Sequence, residues 1–131
     1  MPETINIKTK EQVELIDITK NIQNAINKSN LKDGFVNIYV PHTTAGITIN
    51  ENADPSVRND IINKLNKLVP FSDDYAHSEG NSAAHIKSTL VGVSQMIPVE
   101  NGKLVLGTWQ GIFFCEFDGP RNRQVYIRII S

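Results

Sequence analysis

From Ser94 to the end, the chain is a succession of short β-branched and aromatic runs, each closed by a turn signal. That pattern commits the last third of the protein to antiparallel sheet. Ser94 to Val99 and Lys103 to Leu106 flank Glu100-Asn101-Gly102, and Asn-Gly between apolar runs is the strongest short-range hairpin signal. Gly107 to Gly111 links tightly into Ile112 to Phe117, and Asp118-Gly119-Pro120 turns the chain again. Gln124 to Ile130 closes the sheet with Val125, Ile127 and Ile129 on one face.

The earlier chain supplies more strands and the helices. Thr4 to Lys8 and Gln12 to Leu15 alternate around Thr9-Lys10-Glu11, which predicts an opening β-hairpin. A helix starts at Asp17 or Thr19, with Ile18, Ile22, Ala25 and Ile26 forming one apolar stripe. Asp33-Gly34 ends the connection after it. Phe35 to Val40 then reads as a strand with Val36, Ile38 and Val40 on one face, delivering the chain to His42, and Gly46 to Asn50 alternates like a half-buried strand. Asp54-Pro55 provides an N-cap and first-turn proline for a second helix carrying Val57, Ile61, Leu65 and Leu68, which Pro70 stops. Residues 69 to 80 read as a loop long enough to be functional. A third helix follows from Ala83 to Leu90, with Gly92 as its stop and His85 at the edge of its apolar stripe. The expected architecture is α+β: one domain over residues 1–131, an antiparallel sandwich-like sheet with two or three helices. A sheet this rich in Ile and Val needs its edges covered, so a homo-oligomer is expected.

Composition narrows the function classes. A formal charge of −1 gives no global electrostatic case for nucleic acid or an anionic membrane, and no apolar run approaches the ~20 residues of a membrane span. The opening MPETINIKTK has no apolar h-region, so a cytoplasmic location is expected. The single cysteine, Cys115, lies inside the run Ile112 to Phe117 and reads as a buried strand thiol.

The segment Pro41 to Asp60 concentrates the candidate chemistry. It opens with a histidine and two hydroxyls at a strand end and finishes in carboxylates and amides at a helix start, places where polar groups converge over a rigid support. The three histidines, His42, His77 and His85, all fall in or beside the segments least like plain scaffold. Imidazole serves both as a near-neutral acid or base and as a metal ligand, although the spacing matches no tight metal signature. Thr43, Thr44 and Thr48, with Ser78, Asn81 and Ser82, can hydrogen-bond a phosphate, and Arg121 with Arg123 on one strand face forms either an anion clamp or a solvated basic edge. Asp54 and Asn52 are accounted for by capping and turn formation. Glu51 has no such duty, which makes it the carboxylate for general-base work or for holding a metal-bound water. Trp109 reads first as a core or interface aromatic and second as a stacking wall.

The stretches PHTTAGITINENADPSVRND and AHIKSTLVGVSQMIPVENGKLVLGTWQGIFFCEFDGPRNR closely resemble the YjbQ-like family, often labelled secondary thiamine-phosphate synthase enzymes. The HTT, NEN-DP, AH-K, GTWQGI and DGPR elements occur in order. The resemblance implies a small α+β sandwich assembled as a homotrimer, with a polar histidine site near the subunit boundary. It also implies transfer of a hydroxymethylpyrimidine group from its diphosphate to a thiazole phosphate. On matching positions it points to His42, Thr43, Thr44, Asn50, Glu51, Asp54, His85 and Arg121, with His77 from the adjoining loop. We assign His42, Glu51 and His85 to catalysis, Thr43, Thr44, Asn50 and Arg121 to substrate binding, and His42, His77 and His85 to a divalent metal, Zn²⁺ or Mg²⁺. Departure of pyrophosphate needs charge neutralisation, for which Asp73-Asp74 or Glu51 with Asp54 are the Mg²⁺ candidates and Arg121, Arg123 or Lys87 the phosphate contacts. The alternatives are a three-histidine metal-dependent hydrolase and a non-enzymatic trimer that binds metal or anion. In each case the expected partner is a small phosphorylated or heterocyclic molecule.

Overall fold

The computed structural model describes residues 3–131. The elements are β1 (Glu3–Lys8), β2 (Glu14–Asp17), α1 (Thr19–Ser29), β3 (Gly34–Tyr39), β4 (Ala45–Glu51), α2 (Pro55–Leu68), α3 (Ser82–Val91), β5 (Ser94–Glu100), β6 (Lys103–Leu104), β7 (Gln110–Glu116) and β8 (Asn122–Ile130). They build a five-stranded sheet in the order β1-β8-β3-β5-β6 and a three-stranded sheet in the order β2-β7-β4. All neighbouring strands are antiparallel.

Side-chain periodicity explains the layering. Val36, Ile38, Ile97, Val99, Val125 and Ile127 point from the large sheet into a core shared with Ile22, Ala25 and Ile26 of α1 and with Ile47, Ile112 and Phe114 of the small sheet. Burying each such Val, Ile or Phe contributes about 1.5–3 kcal/mol before chain entropy is set against it. The opposite face of the small sheet presents Leu15, Phe113, Cys115 and Phe117 to a second core under α2 and α3. Strand β7 is therefore covered on both faces, which is why its apolar run is continuous rather than alternating.

The Asn101-Gly102 turn joins β5 to β6 with both residues at positive φ (50° and 76°), as a tight hairpin requires. Asp54 caps α2 by accepting from the Ser56 amide at 2.9 Å, and Gly92, at φ 94°, ends α3. Cys115 is buried, as its apolar setting predicted.

Several expectations are corrected. The first two strands do not form a hairpin: β1 pairs with β8 and β2 with β7, in different sheets. The segment between them is held by Thr9 N donating to Arg121 O and Gly119 N donating to Gln12 O, so the 118–121 turn takes the bonds that a hairpin partner would have taken. The stripe on α2 is only partly covered; Ile61 and Leu65 pack on the second core while Leu68 stays 65% exposed. On α3, Ile86 and Leu90 face outward, and the buried side is Ala83, Ala84, Lys87 and Ser88. Lys87 is accommodated there because its Nζ donates to Asn66 Oδ1 at 2.6 Å and lies 4.6 Å from the centre of the Phe71 ring. Trp109 is 63% exposed, which excludes the core reading.

Candidate functional site

The loop after β3 turns where Val40 N donates to Val93 O, and it carries Pro41 to Thr44 to one end of the sandwich. Facing it are the start of β8, the 77–81 segment and the N-terminal half of α3. Together they line an open cavity of about 770 Å³, with all three histidines, Arg121 and Arg123 on its wall.

Its foundation is a buried ion pair. Glu116 ends β7 inside the protein with no exposure, and Arg123 of β8 is only 5% exposed. Arg123 Nε donates to both Glu116 oxygens at 2.8 and 3.1 Å, and its Nη2 donates to Glu116 Oε2 as well. The same Nη2 reaches Thr44 Oγ1 at 2.9 Å, which fixes the HTT loop to the pair. Burial pushes the Glu116 carboxyl up, but hydrogen bonds from Arg123, Thr9 and the Asp118 amide outweigh this and hold it below the usual carboxylate range.

Arg121 is oriented in the same way at the rim. Its Nε donates to Asp118 O at 2.7 Å and its Nη2 to Asp118 Oδ2 at 2.8 Å. Asp118 also accepts from Asn81 Nδ2 at 3.0 Å, tying this turn to the beginning of α3. Among the described residues, neither arginine commits its Nη1 to a hydrogen bond. Each carboxylate neutralises one guanidinium, so what the pocket offers an anion is pre-aimed N–H donors, supplemented by the positive end of the α3 dipole, rather than a large net charge.

The histidines divide into one fixed residue and one pair. His42 Nε2 accepts from the Gln124 amide at 3.0 Å, so the neutral ring carries its proton on Nδ1. Burial first, and the nearby Arg123 charge second, push its pKa below the ordinary histidine value. His77 and His85 meet edge to face with ring centres 5.4 Å apart, and His77 Nε2 stands 3.9 Å from Glu79 Oε2.

The sequence-derived residues are thus brought together only in part. His42, Thr43, Thr44, His77, His85 and Arg121 share one cavity. Asn50 and Glu51 lie at the other end of β4, paired with Gly111 and Gln110, roughly 20 Å along the strand from Thr44. Asp54 is occupied as a helix cap, and Asp73 and Asp74 do not line the cavity. Among the described residues, no three His, Cys, Asp or Glu side chains converge closely enough to hold a metal ion. A three-histidine centre would require His42 to leave the Gln124 amide and the His77–His85 contact to rearrange, so the donor set as arranged does not fit one. Glu116, Asp118 and Tyr39 were not singled out for a site role, whereas Asn81, read from the sequence as a phosphate hydrogen-bonding candidate, does line the cavity. A carboxylate inside the run Ile112 to Phe117 was the available signal, because buried glutamates are almost always paired.

Comparison with known proteins places the chain among relatives. The family described as UPF0047 protein YjbQ-like matches residues 3–131. UPF0047 protein MJ1081 of Methanocaldococcus jannaschii is 64% identical over 125 residues, covering 95% of this chain and 91% of that protein. UPF0047 protein YugU of Bacillus subtilis is 51% identical across the whole of both chains. The crystal structure of a YjbQ/UPF0047 family protein from Clostridium acetobutylicum, 55% identical, superposes with a TM-score of 0.96 over 98% of this chain and 99% of that one. A hypothetical protein from Aeropyrum pernix, 34% identical, gives 0.95 over 100% and 98%. The folded pattern of two curled antiparallel sheets with three helices and the sequence agree, and the chain belongs to the UPF0047 YjbQ-like family.

Proposed function

We propose that this is a small-molecule enzyme that grips the phosphoryl group of its substrate with Arg121 and Arg123 and hydrogen-bonds the leaving phosphate oxygen from His42 or His85. The observation that carries this reading is the convergence of two carboxylate-anchored guanidiniums and three imidazoles on one cavity. His42, protonated on Nδ1, is arranged as a donor, and His85 at the cavity wall as the alternative donor. The specific reaction we propose is hydroxymethylpyrimidine transfer. The thiazole nitrogen attacks the methylene carbon, the carbon–oxygen bond to diphosphate breaks with its electron pair leaving on pyrophosphate, and the nitrogen becomes cationic. In this scheme Mg²⁺ enters with the diphosphate.

Two features support the wider reading. The outward face of the large sheet aligns Ile130, Phe35 and Pro98 in one row and Arg128, Asn37 and Met96 in the next, leaving Phe35 46% and Met96 53% exposed. A face that leaves large apolar side chains exposed among polar ones suits the proposed homotrimer, which mass measurement in solution tests. No helix among the described residues is long and apolar enough to cross a membrane; the cytoplasmic location is proposed from the sequence alone.

The experiment is pyrophosphate release with both substrates and Mg²⁺, run beside calorimetric titration with inorganic phosphate. Each charge-assisted bond contributes about 1.5–3 kcal/mol, so Arg121→Ala should weaken phosphate binding roughly 10- to 100-fold. Absence of phosphate binding by the wild type refutes the anion site. Phosphate binding without pyrophosphate release leaves the site and refutes the transferase assignment.

A further inference from the structure

We propose that the anion cavity is one end of a two-part site, and that an alcove of about 430 Å³ along α3 holds the uncharged body of the same ligand. The inference rests on the phosphate reading above. The two spaces share His42, Thr43 and His85 as a common wall. Beyond that wall the alcove is lined by Ser88, Thr89, Gly92 and Val93, with no charged side chain.

Helix geometry produces this division. His85, Ser88 or Thr89, and Gly92 are spaced i, i+3 or i+4, and i+7, so one face of α3 runs from the cationic end to a small, neutral one. The end of the helix is tied to β4, where Ile47 N donates to Gly92 O at 3.0 Å and Gly46 lies directly beneath. A Cβ on Gly46 would stand 2.6 Å from Gly92 O. The alcove's hydrogen-bonding character follows from two local bonds. Ser88 Oγ donates to Ala45 O at 2.6 Å and Thr89 Oγ1 donates to His85 O at 2.9 Å. Both hydroxyl protons are therefore committed, so beyond the wall of His42, Thr43 and His85 the alcove's side chains present oxygen lone pairs and hydrocarbon. A carboxylate or second phosphate would lose its hydration there with no charged side chain beyond the shared wall to replace it. A neutral ring or short chain bearing N–H or O–H groups would be satisfied. The ligand class is a phosphate or diphosphate ester of a small, uncharged, donor-bearing body, with the phosphorylated position facing His42 and His85.

The test titrates full-length protein with inorganic phosphate and with 4-aminophenyl phosphate, for wild type, Thr89→Trp and Arg121→Ala. Thr89 is exposed, and tryptophan there fills the alcove without touching the arginines. The wild type should bind the aryl ester at least tenfold more tightly than phosphate. Thr89→Trp should bring the two within twofold while keeping the wild-type affinity for phosphate. Arg121→Ala should weaken both ligands. Equal wild-type affinities, a retained tenfold advantage in Thr89→Trp, or loss of phosphate binding in that variant would each overturn the two-part site. Failure of the wild type to bind phosphate removes the anion site and this inference together.

Discussion

Replacing Glu116 by glutamine tests the foundation of the site. The substitution keeps the side-chain volume but removes the charge that faces Arg123, and one carboxylate oxygen becomes an NH₂ group. Glu116 accepts from Arg123, from Thr9 Oγ1 at 2.7 Å and from the Asp118 amide at 3.1 Å, so the new amide must point one donor at another. Arg123 remains buried without its counter-charge. Removing one partner of a buried pair costs about 3–5 kcal/mol. For a domain of 131 residues each kcal/mol lowers Tm by about 3–5 °C, so a fall of 10 °C or more is expected. Calorimetric melts at fixed protein concentration measure it. The pH dependence has a definite sign. The native carboxyl titrates below the unfolded one, so its stabilisation is complete above about pH 4.5 and is lost as pH falls through the native value. Glu116→Gln should therefore lose the most stability near neutrality and little in acid. In a cycle with Arg123→Met, the double variant should be more stable than the sum of the single losses predicts. A single variant within 1 kcal/mol of wild type, or additive losses in the cycle, would refute the argument.

Three further outcomes follow from individual residues. His42 titrates below its ordinary value in the fold, so the unfolded chain takes up its proton first and stability declines as pH drops below about 6.5; urea midpoints for His42→Gln should show a flatter profile between pH 5 and 7. Gly46→Ala places a methyl group against Gly92 O, forcing α3 away from β4; denaturant titration should show a loss of about 1–3 kcal/mol, and phosphate affinity should fall because His85 moves with the helix. Burial pushes the Cys115 thiol up to about 12, so a thiol reagent at pH 8 should label the native protein only at the rate of unfolding, and rapid labelling would contradict its placement.

The local elements were legible because local physics sets them. The Asn101-Gly102 turn, the Asp54 cap and the Ile22–Ala25–Ile26 stripe are each decided within a few residues. The opening hairpin was misread because alternation identifies a strand but not its partner, and the choice between β2 and β8 for β1 is made by distant turns. Within the site, HTT announced His42, Thr43 and Thr44, while the i, i+2 spacing of Arg121 and Arg123 left open whether they clamp an anion or face solvent. Only the fold shows that Glu116 and Asp118 orient them. Glu51 failed to join them because absence of a capping duty carries no information about direction, and β4 sends it to the opposite end.

The buried pair itself is hard to explain by stability. Taking two charges out of water costs several kcal/mol per ion, and a well-packed apolar pair of similar volume is often neutral or stabilising by comparison. A fold selected only to persist could keep an apolar pair beside Thr44. What the ion pair provides instead is direction: Glu116 grips one edge of the Arg123 guanidinium, Thr44 Oγ1 accepts a hydrogen bond from Nη2, and Nη1 is left uncommitted on a side chain that lines the cavity. A free surface arginine would lose up to about 2 kcal/mol of side-chain entropy on gripping an anion, and here that ordering has already occurred during folding. Stability is given up in the pair so that the donor is ordered before the ligand arrives, which is the arrangement expected where anion binding, rather than packing, determines which side chains occupy the end of the sandwich.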